Sequence, residues 1–187
     1  LPAGARAPVI VYTYGGPTGQ VVADRWSAQH ATFTWWTQRG FGVFLVDNRG
    51  MGGRDRAFTR AHHRQVGEVE VADLFAAVRQ LREVPWVDGA RIGVFGWSYG
   101  GFLAARAVLD DDSPFAAAAA VAPVTDWRLY DTHYTERYMG TPQAEAAGYG
   151  RANLASRAGN LGGRGLLLAH GMADDNVLFA HTLQLSQ

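Results

Sequence analysis

Residues 96–100 form the pattern G-x-S-x-G, in which a serine hydroxyl at a tight turn could act as a nucleophile. The pattern lies between a predicted strand over 91–95 and a predicted helix that begins at Phe102, and this setting makes it informative. A strand that turns directly into a helix holds Ser98 in a strained conformation, and the outer glycines prevent a clash. The backbone N–H of Tyr99 can then point toward a developing oxyanion. A serine helix cap is the alternative, and the flanking elements favour the nucleophile.

A carboxylate that could support this serine follows a later predicted strand. A serine hydroxyl needs a base to take its proton, and the chain order for this kind of turn is serine, acid, histidine. Asp174 and Asp175 come after the predicted strand over 166–169, and either could hold a histidine in the correct tautomer. The pair could instead form a turn or cap the next helix. Spacing alone does not choose between the two aspartates.

The histidine that would act as the base is harder to find. His181 is the only histidine after Asp174, and it lies in a predicted helix rather than in a loop after a further strand. We therefore expect His181 to lie on the helix surface and His170 to pack at a strand end. His62 and its neighbour have no cysteine or spaced carboxylates nearby, so they do not support a metal site. We expect the base to lie beyond Gln187.

Short apolar segments alternate with amphipathic ones along the chain. This alternation predicts a parallel sheet that is buried between helices. The clearest helix covers 69–84, where Val71, Leu74 and Val78 recur at three- and four-residue spacing. The stretch 127–163 is predicted to be an irregular excursion from the sheet. Strands are predicted over 9–12, 41–46, 92–95, 116–121 and 166–169, and further helices over 28–39, from 102 to about 109 and from about 179.

Composition excludes several classes of protein. The 187 residues are 48% apolar, which suits one domain with a sizeable core. The 17 basic residues balance the 17 acidic ones, so the charge gives no reason to expect nucleic acid or an anionic membrane as a partner. The absence of cysteine excludes disulfides and thiolate zinc sites. No apolar run is long enough to span a bilayer, and no signal peptide is visible.

Longer segments of the sequence resemble the prolyl oligopeptidase family of serine peptidases, and most closely its dipeptidyl peptidase IV branch. Residues 96–101 (GWSYGG) match the nucleophile motif, and 134–140 (YTERYMG) and 170–177 (HGMADDNV) are far more specific. The resemblance implies an α/β-hydrolase fold, with a mainly parallel sheet flanked by helices and incomplete at the C-terminus. It implies release of N-terminal X-Pro or X-Ala dipeptides by acyl transfer, without a cofactor or metal. Further matching segments are 14–17, 47–50, 66–73 and 122–127.

The resemblance also implies roles for individual residues. Ser98 matches the nucleophile and Asp174 the acid of the triad. The hydroxyl of Tyr14 and the N–H of Tyr99 match the oxyanion hole, and Asn176 matches the residue that binds the carbonyl of the substrate's N-terminal residue. The pocket for proline matches Tyr99, Val124, Trp127, Tyr130, Tyr134 and Val177. Core packing of a helix is the alternative for the three aromatic residues at 127, 130 and 134, because their spacing is also that of a core.

The implied partners are a peptide with a free N-terminus and penultimate proline, and a second copy of the chain as a homodimer. The resemblance further implies an N-terminal β-propeller domain, which binds the substrate's amine and has no counterpart in residues 1–187. These residues would then form a partial peptidase domain that is inactive alone. The alternatives are a related oligopeptidase, an aminoacyl-releasing peptidase or an esterase on the same fold, and a non-catalytic binding remnant.

Overall fold

Five strands form one sheet in the computed structural model, which describes residues 4–187. They are β1 (Ala7–Thr13), β2 (Gly42–Leu45), β3 (Val87–Trp97), β4 (Ala117–Val121) and β5 (Gly165–Ala169). Their order is β2-β1-β3-β4-β5, and every neighbouring pair is parallel. The predicted parallel sheet is therefore confirmed.

The register of the sheet brings the ends of its central strands to one edge. Gly96 near the end of β3 pairs with Thr13 at the end of β1, and Trp97 pairs with Val121 at the end of β4. Val121 pairs in turn with Ala169 at the end of β5. The loops that follow these four strands therefore leave the sheet side by side, which is where open parallel sheets place their ligands.

Seven α-helices accompany the sheet: α1 (Gln29–Thr37), α2 (Arg56–Arg60), α3 (Val69–Leu81), α4 (Tyr99–Val108), α5 (Thr132–Met139), α6 (Ala146–Ala152) and α7 (Ala180–Leu185), all within residues 4–187. Every residue of α4 is buried, since this helix packs against β3 and β4. The apolar stripe predicted for α3 is buried as expected, at Val71, Leu74, Val78 and Leu81. No helix in this part of the chain is both long and apolar enough to cross a membrane.

The stretch 127–163 is more regular than the sequence predicted, because it contains α5, α6 and two short 3₁₀ helices. Helix α5 begins where the Asp131 carboxylate accepts the backbone N–H of Tyr134 at 2.8 Å. It ends at Gly140, whose φ of 75° closes the helix. The cap and the glycine are readable signals, but the polar composition of the eight residues between them hides the helical pattern.

Candidate active site

Ser98 occupies the sharp turn between β3 and α4. Its φ of 59° and ψ of −118° lie outside the regions that a serine ordinarily adopts, a strain of about 1–3 kcal/mol. Two backbone hydrogen bonds hold the turn: the N–H of Ser98 donates to Val121 O at 2.9 Å, and Phe102 N–H donates to Ser98 O at 2.9 Å. The side chain remains partly exposed. The geometry is that of a nucleophile elbow.

Two glycines make this turn sterically feasible. A Cβ atom on Gly96 would overlap the backbone carbonyl of Gly100. A Cβ atom on Gly100 would overlap the backbone carbonyl of Thr13 at the end of β1. These obstacles are backbone atoms, which cannot move aside as a flexible side chain would. The requirement for small residues on both sides of Ser98, expected from the motif, is therefore met.

A small cavity of ≈ 40 Å³ opens beside Ser98. Its walls come from the loops that follow β1, β3 and β4 and from α5, so it lies at the edge where the strand ends meet. The residues lining it are Tyr14, Ser98, Tyr99, Val124, Trp127, Tyr130 and Tyr134. These seven all belong to the ten site residues that the sequence singled out.

The aromatic side chains of the cavity pack on one another. Trp127 stacks on Tyr134 with ring centroids 6.2 Å apart, and it contacts Tyr99 at a centroid distance of 5.2 Å. Tyr130 meets Tyr134 edge-on at 5.5 Å. Trp127 is only 2% exposed, whereas Tyr130 and Tyr134 are partly exposed. The aromatic cluster thus packs against α5 and also lines the cavity, an arrangement that is compatible with both interpretations.

Tyr14 is a neutral hydrogen-bond donor at this site. Burial raises the pKa of its phenol above 10.0, and the neighbouring phenols, of which Tyr130 contributes most, raise it further. Burial likewise raises the pKa of Tyr134 far above its usual range. At neutral pH both phenols keep their protons, so Tyr14 can donate to a developing negative charge.

The remaining three predicted residues lie in the loop after β5. The Oδ1 atom of Asp174 accepts the backbone N–H groups of Asn176 and Val177, each at 3.0 Å. Its Oδ2 atom lies 3.6 Å from Nε2 of His170. Asn176 reaches the cavity, because its Oδ1 atom accepts the hydroxyl of Tyr130 at 2.9 Å. Asp174 is thus anchored within its loop, while Asp175 is exposed.

No histidine among residues 4–187 lines the cavity or hydrogen-bonds to Ser98. His170, whose side chain is 0% exposed, contacts Thr182 Oγ1 at 2.6 Å and Val177 O at 2.7 Å, so it packs at the strand end as expected.

The predicted surface position of His181 is wrong. This residue is 0% exposed, and its Nδ1 atom accepts the backbone N–H of Thr125 at 3.1 Å. Its pKa is lowered to about 4, chiefly by burial, so the ring is neutral near pH 7. No local sequence pattern indicates this contact, because Thr125 and His181 are far apart along the chain. Within the same described residues, no group of three or more metal-binding side chains is placed to hold an ion.

Glu70 contacts the site and was missed by sequence reasoning. It lies in the first turn of α3, is 0% exposed, and its Oε1 atom accepts the hydroxyl of Tyr99 at 2.6 Å. Burial raises its pKa to about 7, although hydrogen bonds from Tyr99 and Gly67 lower it. The available signal was its four-residue spacing from Leu74, which places both side chains on one helix face.

Comparison with known proteins identifies similar chains. The family model described as "Prolyl oligopeptidase family" matches residues 26–187. A probable dipeptidyl peptidase 4 of Aspergillus fumigatus is 40% identical over 183 residues, and a probable dipeptidyl-aminopeptidase B of Arthroderma otae is 39% identical over 181. The alignments cover 96% of this chain in both cases, but only 24% and 20% of those relatives. The chain thus spans about a quarter or less of the length of the curated relatives it matches.

A solved structure gives the same result at the level of the fold. The crystal structure of Porphyromonas gingivalis dipeptidyl peptidase 4 superposes with a TM-score of 0.92 and 38% sequence identity. The match covers 98% of this chain and 26% of that one. The parallel sheet and its flanking helices therefore form an α/β-hydrolase fold.

Proposed function

Because the chain belongs to the prolyl oligopeptidase family of serine peptidases, we propose that it carries the acyl-transfer site of a dipeptidyl peptidase. The enzyme would release N-terminal dipeptides with proline, or less favourably alanine, in second position. The observation that carries the proposal is the cavity in which Ser98, held at the elbow, faces Tyr14 and an aromatic cluster. The candidate nucleophile therefore lies next to hydrogen-bond donors and to an apolar pocket.

In this reaction the Ser98 oxygen attacks the carbonyl carbon of the second substrate residue while a histidine takes the hydroxyl proton. The resulting oxyanion would be stabilised by the N–H of Tyr99 and the hydroxyl of Tyr14. Collapse breaks the C–N bond, and the leaving amine takes its proton from the histidine. Water then attacks the acyl-enzyme and frees the dipeptide, with the histidine again as base. Asp174 would orient the histidine, which we place outside the described residues.

The size and lining of the cavity support proline as the preferred residue. The cavity is small, at ≈ 40 Å³, and most of the side chains that line it are aromatic. Aromatic faces present few polar groups that would need a partner, and a proline ring brings none. Alanine would fill this cavity less completely.

Asn176 is suited to bind the carbonyl of the substrate's first residue. Tyr130 donates to Oδ1 of Asn176, which leaves its amide Nδ2 as the group free to donate within the described structure. No acidic side chain lines the cavity among residues 4–187. We therefore propose that the substrate's amine is bound by another part of the polypeptide, such as a propeller domain. From the resemblance to this family we further propose that the enzyme forms a homodimer.

Substitution of the nucleophile tests this function in the full-length polypeptide that contains these residues. We expect Ser98→Ala to lower kcat for a Gly-Pro chromogenic substrate by about 10⁶-fold. The control Ser186→Ala changes an exposed hydroxyl at the end of α7 and should leave the rate unchanged. A fluorophosphonate should label the wild type and not Ser98→Ala.

The alternatives give different results in the same assay. Faster cleavage of N-blocked peptides or simple esters than of Gly-Pro substrates would indicate a related oligopeptidase, aminoacyl-releasing peptidase or esterase. A wild-type protein that neither hydrolyses any of these substrates nor reacts with the fluorophosphonate would contradict catalysis and favour a binding remnant.

A further inference from the structure

A buried carboxylate lies directly behind the wall of the candidate active site. Glu70 is 0% exposed, and its two oxygens accept two different donors. Oε1 accepts the hydroxyl of Tyr99 at 2.6 Å, and Oε2 accepts the backbone N–H of Gly67 at 3.1 Å. The distance of 2.6 Å makes the bond to Tyr99 the shorter of the two.

No cation accompanies this carboxylate within the described part of the chain. Arg106 on α4 passes near Gly67, but its guanidinium pairs with Asp110 at 2.6 Å. The nearest other ionisable group on the same turn is Glu68, which repels the charge of Glu70. A buried carboxylate without a neighbouring cation lowers stability relative to an apolar side chain, even when it accepts hydrogen bonds. Packing alone therefore gives no reason for a glutamate at this position.

The partner of Glu70 is the residue next to the nucleophile. The backbone N–H of Tyr99 begins α4, and its ring lines the cavity beside Ser98. Neighbours hold the near end of the ring: a Cβ atom on Gly16 would lie 2.7 Å from its Cγ atom, and Trp127 packs at 5.2 Å. Glu70 holds the far end through the hydroxyl. The orientation of the Tyr99 ring, which forms part of the cavity wall, therefore depends on contacts at both ends of this side chain.

We propose that Glu70 is a positioning residue for specificity: by fixing the Tyr99 ring, it shapes the pocket that receives the second residue of the substrate. This inference rests on the proposed function. A glutamine could accept the Gly67 N–H through its oxygen, but its NH₂ would then face the Tyr99 hydroxyl, which would have to accept instead of donate and would lose its acceptor. Glutamine therefore matches the shape of the glutamate side chain but not its hydrogen-bonding groups.

Selectivity between substrates tests this role. In the full-length polypeptide we expect Glu70→Gln to lower kcat/KM for a Gly-Pro chromogenic substrate about tenfold, and the Pro-to-Ala ratio of kcat/KM about fivefold. The matched control Glu68→Gln removes a carboxylate two residues earlier that does not contact Tyr99. Assayed well above pH 7, where Glu70 is ionised with or without the charge of Glu68, it should change neither value. An unchanged Pro-to-Ala ratio in a folded Glu70→Gln protein would overturn the inference.

A double-mutant cycle shows whether Glu70 acts through Tyr99. Tyr99→Phe deletes the same hydrogen bond from the other side, so adding Glu70→Gln to it should change the ratio less than about twofold further. Independent, multiplying effects would overturn the inference. If Glu70→Gln fails to fold, Tyr99→Phe decides alone, because an unchanged ratio in that variant overturns it equally.

Labelling separates this inference from the proposed function. A fluorophosphonate could label wild-type Ser98 and Gly-Pro substrates could be hydrolysed, while the Pro-to-Ala ratio of kcat/KM stays the same in Glu70→Gln. In that case the proposed function stands and the inference fails. If the wild type shows neither labelling nor hydrolysis, the proposed function fails and the inference falls with it.

Discussion

Ser98 and Glu70 each hold an unfavourable state that the surrounding fold maintains. Ser98 adopts a positive φ at the turn, and Glu70 buries a carboxyl group that has no cation beside it among residues 4–187. Each cost is of a kind that proteins concentrate at functional sites. The two residues are linked through Tyr99, which follows Ser98 in the chain and donates to Glu70. The strained turn at Ser98 and the buried carboxyl group of Glu70 are therefore connected through Tyr99.

The Pro-to-Ala ratio of kcat/KM should depend on pH through Glu70. The pKa of Glu70 is raised to about 7 by burial, so below that pH the carboxyl gains a proton and loses an acceptor. We expect the ratio to rise about fivefold with increasing pH, with its midpoint near the pKa of about 7. The ratio is measured because titration of the catalytic histidine affects both substrates alike and cancels.

Glu70→Gln provides the control for this pH dependence, because its ratio should be flat with pH. The same group makes the free energy of unfolding fall as pH rises from 4.5 through about 7, since the folded protein binds this proton more tightly than the unfolded chain does. A midpoint that persists in Glu70→Gln would show that another group controls selectivity.

The residues that sequence reasoning could assign are those inside continuous motifs. Ser98 and the acidic loop follow from strand, turn and helix patterns, and the resemblance chose Asp174 over Asp175. The burial of His181 and the role of Glu70 depend instead on contacts between distant segments. A polar residue on a helix face has no partner in a one-dimensional pattern, so its burial is visible only in the folded chain.

At the scale of elements, the unit formed by β3 and α4 positions the nucleophile. Helix α4 begins at Tyr99, three residues earlier than the sequence predicted. Gly100 and Gly101 have low helix propensity, which moved the predicted start to Phe102. Tertiary packing overrides that propensity, because the two glycines let the helix approach the backbone of β1 and β4 closely. The two glycines therefore weaken the helical pattern in the sequence and also allow the helix to pack in its observed position.

Gly100→Ala should damage this unit severely. The added Cβ atom would overlap the backbone carbonyl of Thr13, and we expect a loss of about 1–3 kcal/mol in the free energy of unfolding together with most of the activity. Gly150→Ala is the matched control: Gly150 lies in α6 with open space where its Cβ atom would be. That change should stabilise the protein by about 0.5–1 kcal/mol. Urea unfolding of both variants measures the difference, and equal effects would refute the packing argument.

At the scale of the whole molecule, the parallel sheet converts distant sequence positions into one site. The loops after β1, β3, β4 and β5 leave the same edge, so Tyr14, Ser98, Val124 and Asn176 lie around or beside one cavity. Alternating strands and helices were enough to predict the parallel sheet, whose strand ends are where such sheets place their ligands. The shape of the cavity was not predictable in that way, because it depends on how the aromatic side chains of residues 127–134 pack on one another beside the strand ends.

The last prediction concerns residues 1–187 produced alone. His170 is held by Thr182 and Val177, and His181 is held by Thr125, so neither is placed to take the proton of Ser98. We therefore expect Gly-Pro turnover about 10⁶-fold below that of the full-length polypeptide. Circular dichroism and a cooperative unfolding transition would show that the isolated chain is folded, and Ser98→Ala would set the background rate. Rapid turnover that His181→Ala abolishes would instead make His181 the base, and α7 would then have to move to release it from Thr125.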